Sequence, residues 1–184
     1  MLSSDPNFPP RPAFGPLMNT TARQTVFGAF QFVPAPQADN PEAIRILGNW
    51  EAANIVKVEI PQLRGIEGLH RDGVVRFHRL GAEQLKGLWA AWEKANLLRL
   101  INTYAGSYVP RFIRGSRSVL SNHAFGSAFD INAAWNGLGR VPPLAGRAGS
   151  TRELVPIANE HGFYWGGHFA NRRDGMHFEI ARLL

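Results

Sequence analysis

The spacing of apolar and polar positions changes several times along this chain. From Trp50 to Pro61 (WEAANIVKVEIP), Ile55, Lys57 and Glu59 alternate with Val56, Val58 and Ile60, the two-residue period of a half-buried strand. Gly73 to Phe77 (GVVRF) predicts a second strand. Over Ala82–Leu98 the period lengthens. Leu85, Leu88, Trp89, Trp92 and Ala95 fall at i, i+3, i+4, i+7 and i+10, which predicts a helix with both tryptophans in the core. Leu100–Ala105 predicts another strand, as does the aromatic stretch Thr25–Val33, and Pro34–Pro41 reads as a loop. Near Asp130 the two-residue period returns. Ala128, Asp130 and Asn132 share one face, Phe129 and Ile131 the other. In the last strand His177 and Glu179 point one way, and Met176, Phe178 and Ile180 the other.

Trp135–Gly149 is rich in Gly and Pro and reads as a loop. Ser150-Thr151-Arg152-Glu153 fits a capping box opening a helix that Gly162 stops, with Pro156 inside it. The order predicts an α+β fold: a small central antiparallel sheet flanked by helices, with the candidate site on one sheet face. Pro6, Pro9, Pro10, Pro12 and Pro16 make residues 1 to about 20 an expected extended arm or disordered leader. Residues 1–49 form an unassigned N-terminal extension, and 50–184 the main domain.

Composition narrows the class. At 184 residues and 45% hydrophobic content the chain can bury one core, and a mean hydropathy of −0.17 argues against disorder. No apolar run approaches the ~20 residues that span a bilayer, so no membrane insertion is expected. Met1–Pro10 has neither a basic nor an apolar signal-peptide region. With no cysteine, disulfides and thiolate metal sites are excluded, and any metal must be held by His, Asp or Glu. The net charge of +6 and pI near 10.5 favour anionic partners, although solubility alone would also account for them. The arginines are scattered and form no stripe interleaved with aromatics, which disfavours nucleic acid.

Two stretches carry candidate chemistry: Ser121-Asn122-His123-Ala124-Phe125-Gly126-Ser127-Ala128-Phe129-Asp130, and Asp174-Gly175-Met176-His177-Phe178-Glu179. They supply two imidazoles, a carboxylate able to bind metal, and a spare carboxylate. That is the inventory of a catalytic zinc site with an open fourth position for water. His123 and Asp130 would lie on opposite faces of a regular strand, so a turn near Gly126 must bring them together. Asp174, at the entrance to the last strand, can reach that water without binding the metal. Glu179 is the alternative base or ligand, read here as supporting the site. His168 reads as a solvated loop histidine and Asn132 as a residue supporting Asp130. Trp165 reads either as a cleft wall or as core.

The pattern Ser121-x-His123-x-x-Gly126-x-Ala128-x-Asp130 followed by Asp174-x-x-His177 resembles the signature of the zinc D-alanyl-D-alanine carboxypeptidase and L-alanyl-D-glutamate endopeptidase family. These enzymes, phage endolysins among them, cut peptidoglycan stem peptides. The resemblance covers roughly residues 50–184. It implies Zn2+ held by His123, Asp130 and His177, Asp174 as catalytic base, and Ser121 orienting the first ligand or binding substrate. It also implies an upstream arginine on the scissile carbonyl, with Arg111 first and Arg114 second. Trp165 completes the expected substrate contacts.

Many carboxypeptidases of the family carry Glu at the base position, so Asp174 leans toward the endopeptidase branch. D-alanyl-D-alanine carboxypeptidase activity is one alternative. A zinc-bearing wall-binding protein without catalysis, and a basic surface module matching by accident, are the others. A monomer made in the cytoplasm and acting on the cell wall or periplasm is expected, through phage lysis or partner-dependent export.

Overall fold

The computed structural model describes residues 7–184. The start of the expected proline-rich arm, Met1–Pro6, lies outside the described residues. A five-stranded sheet carries the site. It is built from β4 (Glu67–Gly68), β6 (Thr103–Gly106), β7 (Ala128–Ile131), β9 (His177–Ile180) and β8 (Phe163–Trp165), in that spatial order. Every neighbouring pair is antiparallel except β4 and β6, which run parallel, so the sheet is mixed where the sequence predicts a purely antiparallel one. Two hairpin-like pairs stand apart: β1 (Gln31–Pro34) with β2 (Ile44–Leu47), and β3 (Ile55–Glu59) with β5 (Val74–His78).

The helix α3 (Ala82–Lys94) lies where the 3.6-residue pattern places it and buries Leu85, Leu88, Trp89 and Trp92. Its tryptophans meet the apolar face of the sheet. Trp89 packs on Phe129 and Trp92 on both Phe129 and Phe178, while Phe129 and Phe178 stack at 5.5 Å across the β7–β9 pair. Burying the apolar face fixes the register, because a one-residue slip would turn every one of these rings outward. The same register places Asp130 opposite His177 and Ala128 opposite Glu179 on the other face. The core thus decides which polar side chains converge.

The helix α4 (Val155–Glu160) follows a short 3-10 turn at Arg152–Leu154 and takes Pro156 in its first turn, where the missing N–H costs nothing. Ser150 does not form a reciprocal box with Glu153. Its hydroxyl donates to Glu153, whose other oxygen accepts from Gly146 N–H.

The N-terminal region differs most from expectation. Thr20–Phe27, which overlaps the predicted strand at Thr25–Val33, is the helix α1, opened by Asn19 Oδ1 accepting from Ala22 N–H at 2.8 Å. Trp50–Asn54, expected to begin a strand, is the helix α2. At α1 a side chain that caps the helix outweighs weak local strand propensity, whereas Asn49 makes no such cap for α2. Nor is the stretch after residue 7 a loose arm. Phe8 packs on Trp165 at 5.5 Å, and Pro9 O accepts from His168 Nε2 at 2.8 Å. Packing also crosses the expected boundary at residue 49, since Phe27, Phe30 and Ile44 are buried in the same core as Phe125 and Phe129. Among the described residues no helix is long and apolar enough to cross a membrane.

Candidate metal centre

His123 reaches the sheet through a 3-10 turn, Asn122–Phe125. Ser121 caps this turn, its hydroxyl accepting from His123 N–H at 3.3 Å. Gly126 then takes a left-handed conformation at φ 64° and returns the chain to β7. A β-carbon there would stand 2.8 Å from Ile55 Cδ1 and 3.0 Å from the His78 backbone nitrogen, so both conformation and space require glycine.

Two features outside the motif hold the segment ahead of this turn. Leu120 N–H donates to Thr20 Oγ1, and Leu120 O accepts from Arg23 Nη1 at 2.9 Å. The helix α1 therefore grips the residue next to Ser121 on both sides. No spacing signal in the sequence points to that clamp.

The ligand-type atoms converge closely. His123 Nε2 lies 3.2 Å from His177 Nδ1 and 3.3 Å from Asp130 Oδ1, and His177 Nδ1 lies 3.0 Å from Asp130 Oδ1. These three are the cluster among the described residues able to hold a metal ion. The outer nitrogens of both rings are engaged elsewhere. His123 Nδ1–H donates to Ser107 O at 2.6 Å, and His177 Nε2–H donates to Glu179 Oε2 at 2.9 Å. With those protons placed, the inner nitrogens present lone pairs, as does the carboxylate.

Three lone pairs facing one another at 3.0–3.3 Å need a cation between them. A regular tetrahedron around zinc, with bonds of ~2.0–2.1 Å, has edges of roughly 3.3–3.4 Å. The donor set and its spacing fit a divalent metal. Without one, a proton takes that place. Burial would lower the pKa of His177, but its hydrogen bonds with Asp130 and Glu179 carry it up to about 10. Burial would likewise raise that of Asp130, yet His123 and His177 hold it well below the ordinary carboxylate range. Metal uptake at neutral pH must therefore expel a proton.

Glu179 supports His177 and is fixed in turn by Asn122 Nδ2, which donates to the same Oε2 at 2.5 Å. It sits beside the triangle and is not part of it. Asn132 does not touch Asp130. At φ 53° it leaves the strand, and its Oδ1 accepts from Asn102 and Thr103 N–H, tying the end of β7 to the start of β6.

Asp174 lies at the turn into β9, where its carbonyl accepts from His177 N–H at 3.1 Å. Its Oδ1 is buried without a hydrogen-bond partner. Burial pushes its pKa up, and Asp130 adds to this, while His177, His123 and Arg111 oppose it. Gly166 permits the close approach, since a β-carbon there would lie 2.5 Å from Asp174 O. A carboxylate with a raised pKa beside a metal-type cluster is equipped to accept and release a proton.

His123, His177, Asp174, Ser121 and Arg111 all line one cleft of about 370 Å3. Burial lowers the pKa of Arg111, and the field of Asp130 counters this. Its Nη1 donates to Phe112 O, which leaves the rest of its fork free. Arg114 also borders the cleft, but Glu42 takes its guanidinium at 2.7 Å.

Trp165 is not a cleft wall. It is fully buried, with its indole N–H donating to Gly175 O at 2.8 Å, so it braces the turn that presents Asp174. His168 is not solvated either. It packs beneath the N-terminal segment, 5.6 Å from the Phe8 ring and 5.1 Å from that of Trp165.

No curated protein and no solved structure matches the chain. Residues 114–180 match the family described as D-alanyl-D-alanine carboxypeptidase. The stretch contains His123, Asp130, Asp174 and His177, whereas Arg111 and α1 lie outside it. The match supports the zinc peptidase family that the two motifs resemble, a family of metallopeptidases acting on peptidoglycan.

Proposed function

We propose that the protein is a zinc-dependent endopeptidase that hydrolyses the L-alanyl-D-glutamate bond of the peptidoglycan stem peptide. One observation carries this reading: three lone pairs converge within 3.3 Å, and His123 and His177, which supply two of them, line the same cleft as Asp174, whose Oδ1 is buried and unpartnered. A pure wall binder has no use for such a carboxylate.

In this reading His123, Asp130 and His177 hold Zn2+, with Glu179 and Ser107 O fixing the two rings. When bound, the metal supplies Lewis-acid polarisation and brings the pKa of water down to roughly 7. Asp174 takes a proton from the attacking water and returns it to the departing amine. Its raised pKa suits both halves of that exchange. Arg111 stabilises the negative charge that develops on the carbonyl oxygen, a contribution of about 3 kcal/mol for one well-placed donor. Ser121 holds the turn that presents His123.

The family match, whose description names D-alanyl-D-alanine, favours a second reading in which the terminal D-Ala is removed. Purified protein incubated with peptidoglycan, with chelator and with zinc restored, separates the two by mass spectrometry of the fragments. Chelator-sensitive cleavage between L-Ala and D-Glu is expected. Loss of terminal D-Ala would replace this reading with the carboxypeptidase. Zinc-loaded protein that gives no product would indicate a binding protein. Asp174→Ala should retain zinc and lose turnover by at least ~10²-fold, and full activity in that variant would remove Asp174 from its role.

A further inference from the structure

The cleft has a wall that the family match does not include. Pro16, Leu17 and Met18 line it, as do Arg11 and Arg23, all far upstream of residue 114. This stretch is held at both ends. Upstream, His168 Nε2 donates to Pro9 O at 2.8 Å, Asn159 Nδ2 donates to Pro10 O, and the Arg152 guanidinium lies 5.0 Å over the Phe8 ring. Downstream, Asn19 caps α1, whose Thr20 and Arg23 grip Leu120. Between these anchors Met18 is 71% exposed although it faces a cleft. A large apolar side chain left in water beside a reaction centre has its use in contacting what enters.

The charges agree. Arg11, Arg23, Arg111 and Arg172 border the cleft, and each donates only to a backbone carbonyl: His168 O, Leu120 O, Phe112 O and Arg114 O respectively. None forms an ion pair among the described residues, whereas their neighbour Arg114 is neutralised by Glu42. Arg23 is 4% exposed, and its Nε has no partner. Arg23 feels the charge of Glu179 and Arg111 those of Asp130 and Asp174, but four cations, joined by a divalent metal when it is bound, outnumber these three carboxylates and favour an anionic ligand. Arg11 and Arg172 are the exposed pair, and each keeps guanidinium N–H groups beyond its one carbonyl bond for a ligand.

We propose that the segment Arg11–Arg23 is a substrate-binding wall, in which Arg11, together with Arg172 of the loop before Asp174, binds a free carboxylate of the stem peptide while Leu17 and Met18 contact the aliphatic part beside it. This rests on the peptidase reading above. In the stem peptide the residue after L-Ala carries such a carboxylate, the α-carboxylate of D-Glu, and amidation converts it to a neutral group of nearly the same shape. Because both ends of the wall are pinned, little ordering is lost on binding. The wall selects by charge and leaves the proton transfers to Asp174.

The test uses the full-length, zinc-loaded chain and two soluble stem peptides, one with D-Glu and one with its α-amide. The parent is expected to favour the free carboxylate at least tenfold in kcat/KM. Arg11→Gln and Arg172→Gln should each reduce that ratio about tenfold through KM, and Arg11→Lys should restore part of it. Melting temperatures monitor folding, which Arg11, being exposed, should not disturb. A parent that cuts the peptides with no preference, or an Arg11→Gln ratio equal to the parent's, overturns the wall and leaves the peptidase standing. Faster cleavage by Met18→Ser would mark the segment as a cover and also overturn it. A parent that cuts neither peptide nor peptidoglycan defeats the proposed function, and the wall falls with it.

Discussion

Replacing Gly126 by alanine probes the turn that unites the two halves of the candidate centre. The substitution carries two costs. The left-handed conformation at φ 64° costs a residue with a β-carbon about 1–2 kcal/mol. The new β-carbon would also stand 2.8 Å from Ile55 Cδ1 and 3.0 Å from His78 N. Ile55 can rotate its terminal methyl away. The His78 nitrogen cannot move freely, because it donates to Gly126 O at 2.7 Å. Overpacking of this kind costs roughly 1–3 kcal/mol, so the sum is about 2–5 kcal/mol, or a fall in Tm of about 4–20 °C for a chain of this size.

Gly48→Ala is the control. Gly48 has φ 74°, and a β-carbon there would have nothing within 4 Å, so it should show the conformational cost alone, with a drop of about 2–8 °C. Melting of both metal-free variants by circular dichroism measures the difference. Competition with a chelating dye should also show zinc affinity at least about tenfold weaker in Gly126→Ala, because Gly126 N–H donates to His123 O and a shifted turn carries the ring with it. Equal melting temperatures for the two variants would refute the packing argument.

Two further outcomes follow from named contacts. Glu179→Gln removes the charge that accepts the His177 Nε2 proton, so zinc affinity should fall about 10- to 100-fold with the fold retained, and an unchanged dissociation constant would sink that role. His78 gives a pH signature. Its Nε2–H donates to Phe27 O and its Nδ1 accepts from Leu80 N–H, so the fold holds it neutral, and burial lowers its pKa from 6.5 to about 4. Below pH 6.5 the unfolded chain takes up a proton that the folded chain refuses, so stability falls with pH until about 4. Relative to His78→Gln, the metal-free wild type should lose on the order of 2–3 kcal/mol across that window by urea denaturation, and a constant gap would contradict the assignment.

The readable parts of the sequence are those with strong periodicity or fixed chemistry. Leu85, Leu88, Trp89 and Trp92 sit on one helical face because only that spacing buries them together, and the structure buries all four. Phe129 and Phe178 alternate with Asp130 and His177, and one face goes to the core while the other carries the lone pairs. Thr20–Phe27 is harder, because its apolar residues suit a strand and the deciding fact is one hydrogen bond from Asn19. Trp165 and His168 illustrate another gap. Sequence gives their residue types, but whether each faces the cleft or packs beneath Phe8 depends on a segment more than 150 residues away.

By itself the sequence determined the donor types, the absence of thiolates, the need for a turn at Gly126 and the alternation that separates core from site. Periodicity and covalent geometry are local, so they survive in one dimension. Only the tertiary structure decided which nitrogen of each histidine faces inward, because Ser107 O and Glu179 claim the outer ones. Only it placed α1 against Leu120 and turned a proline-rich leader into one side of the cleft. Those outcomes depend on contacts between residues distant in sequence, and no local pattern encodes them.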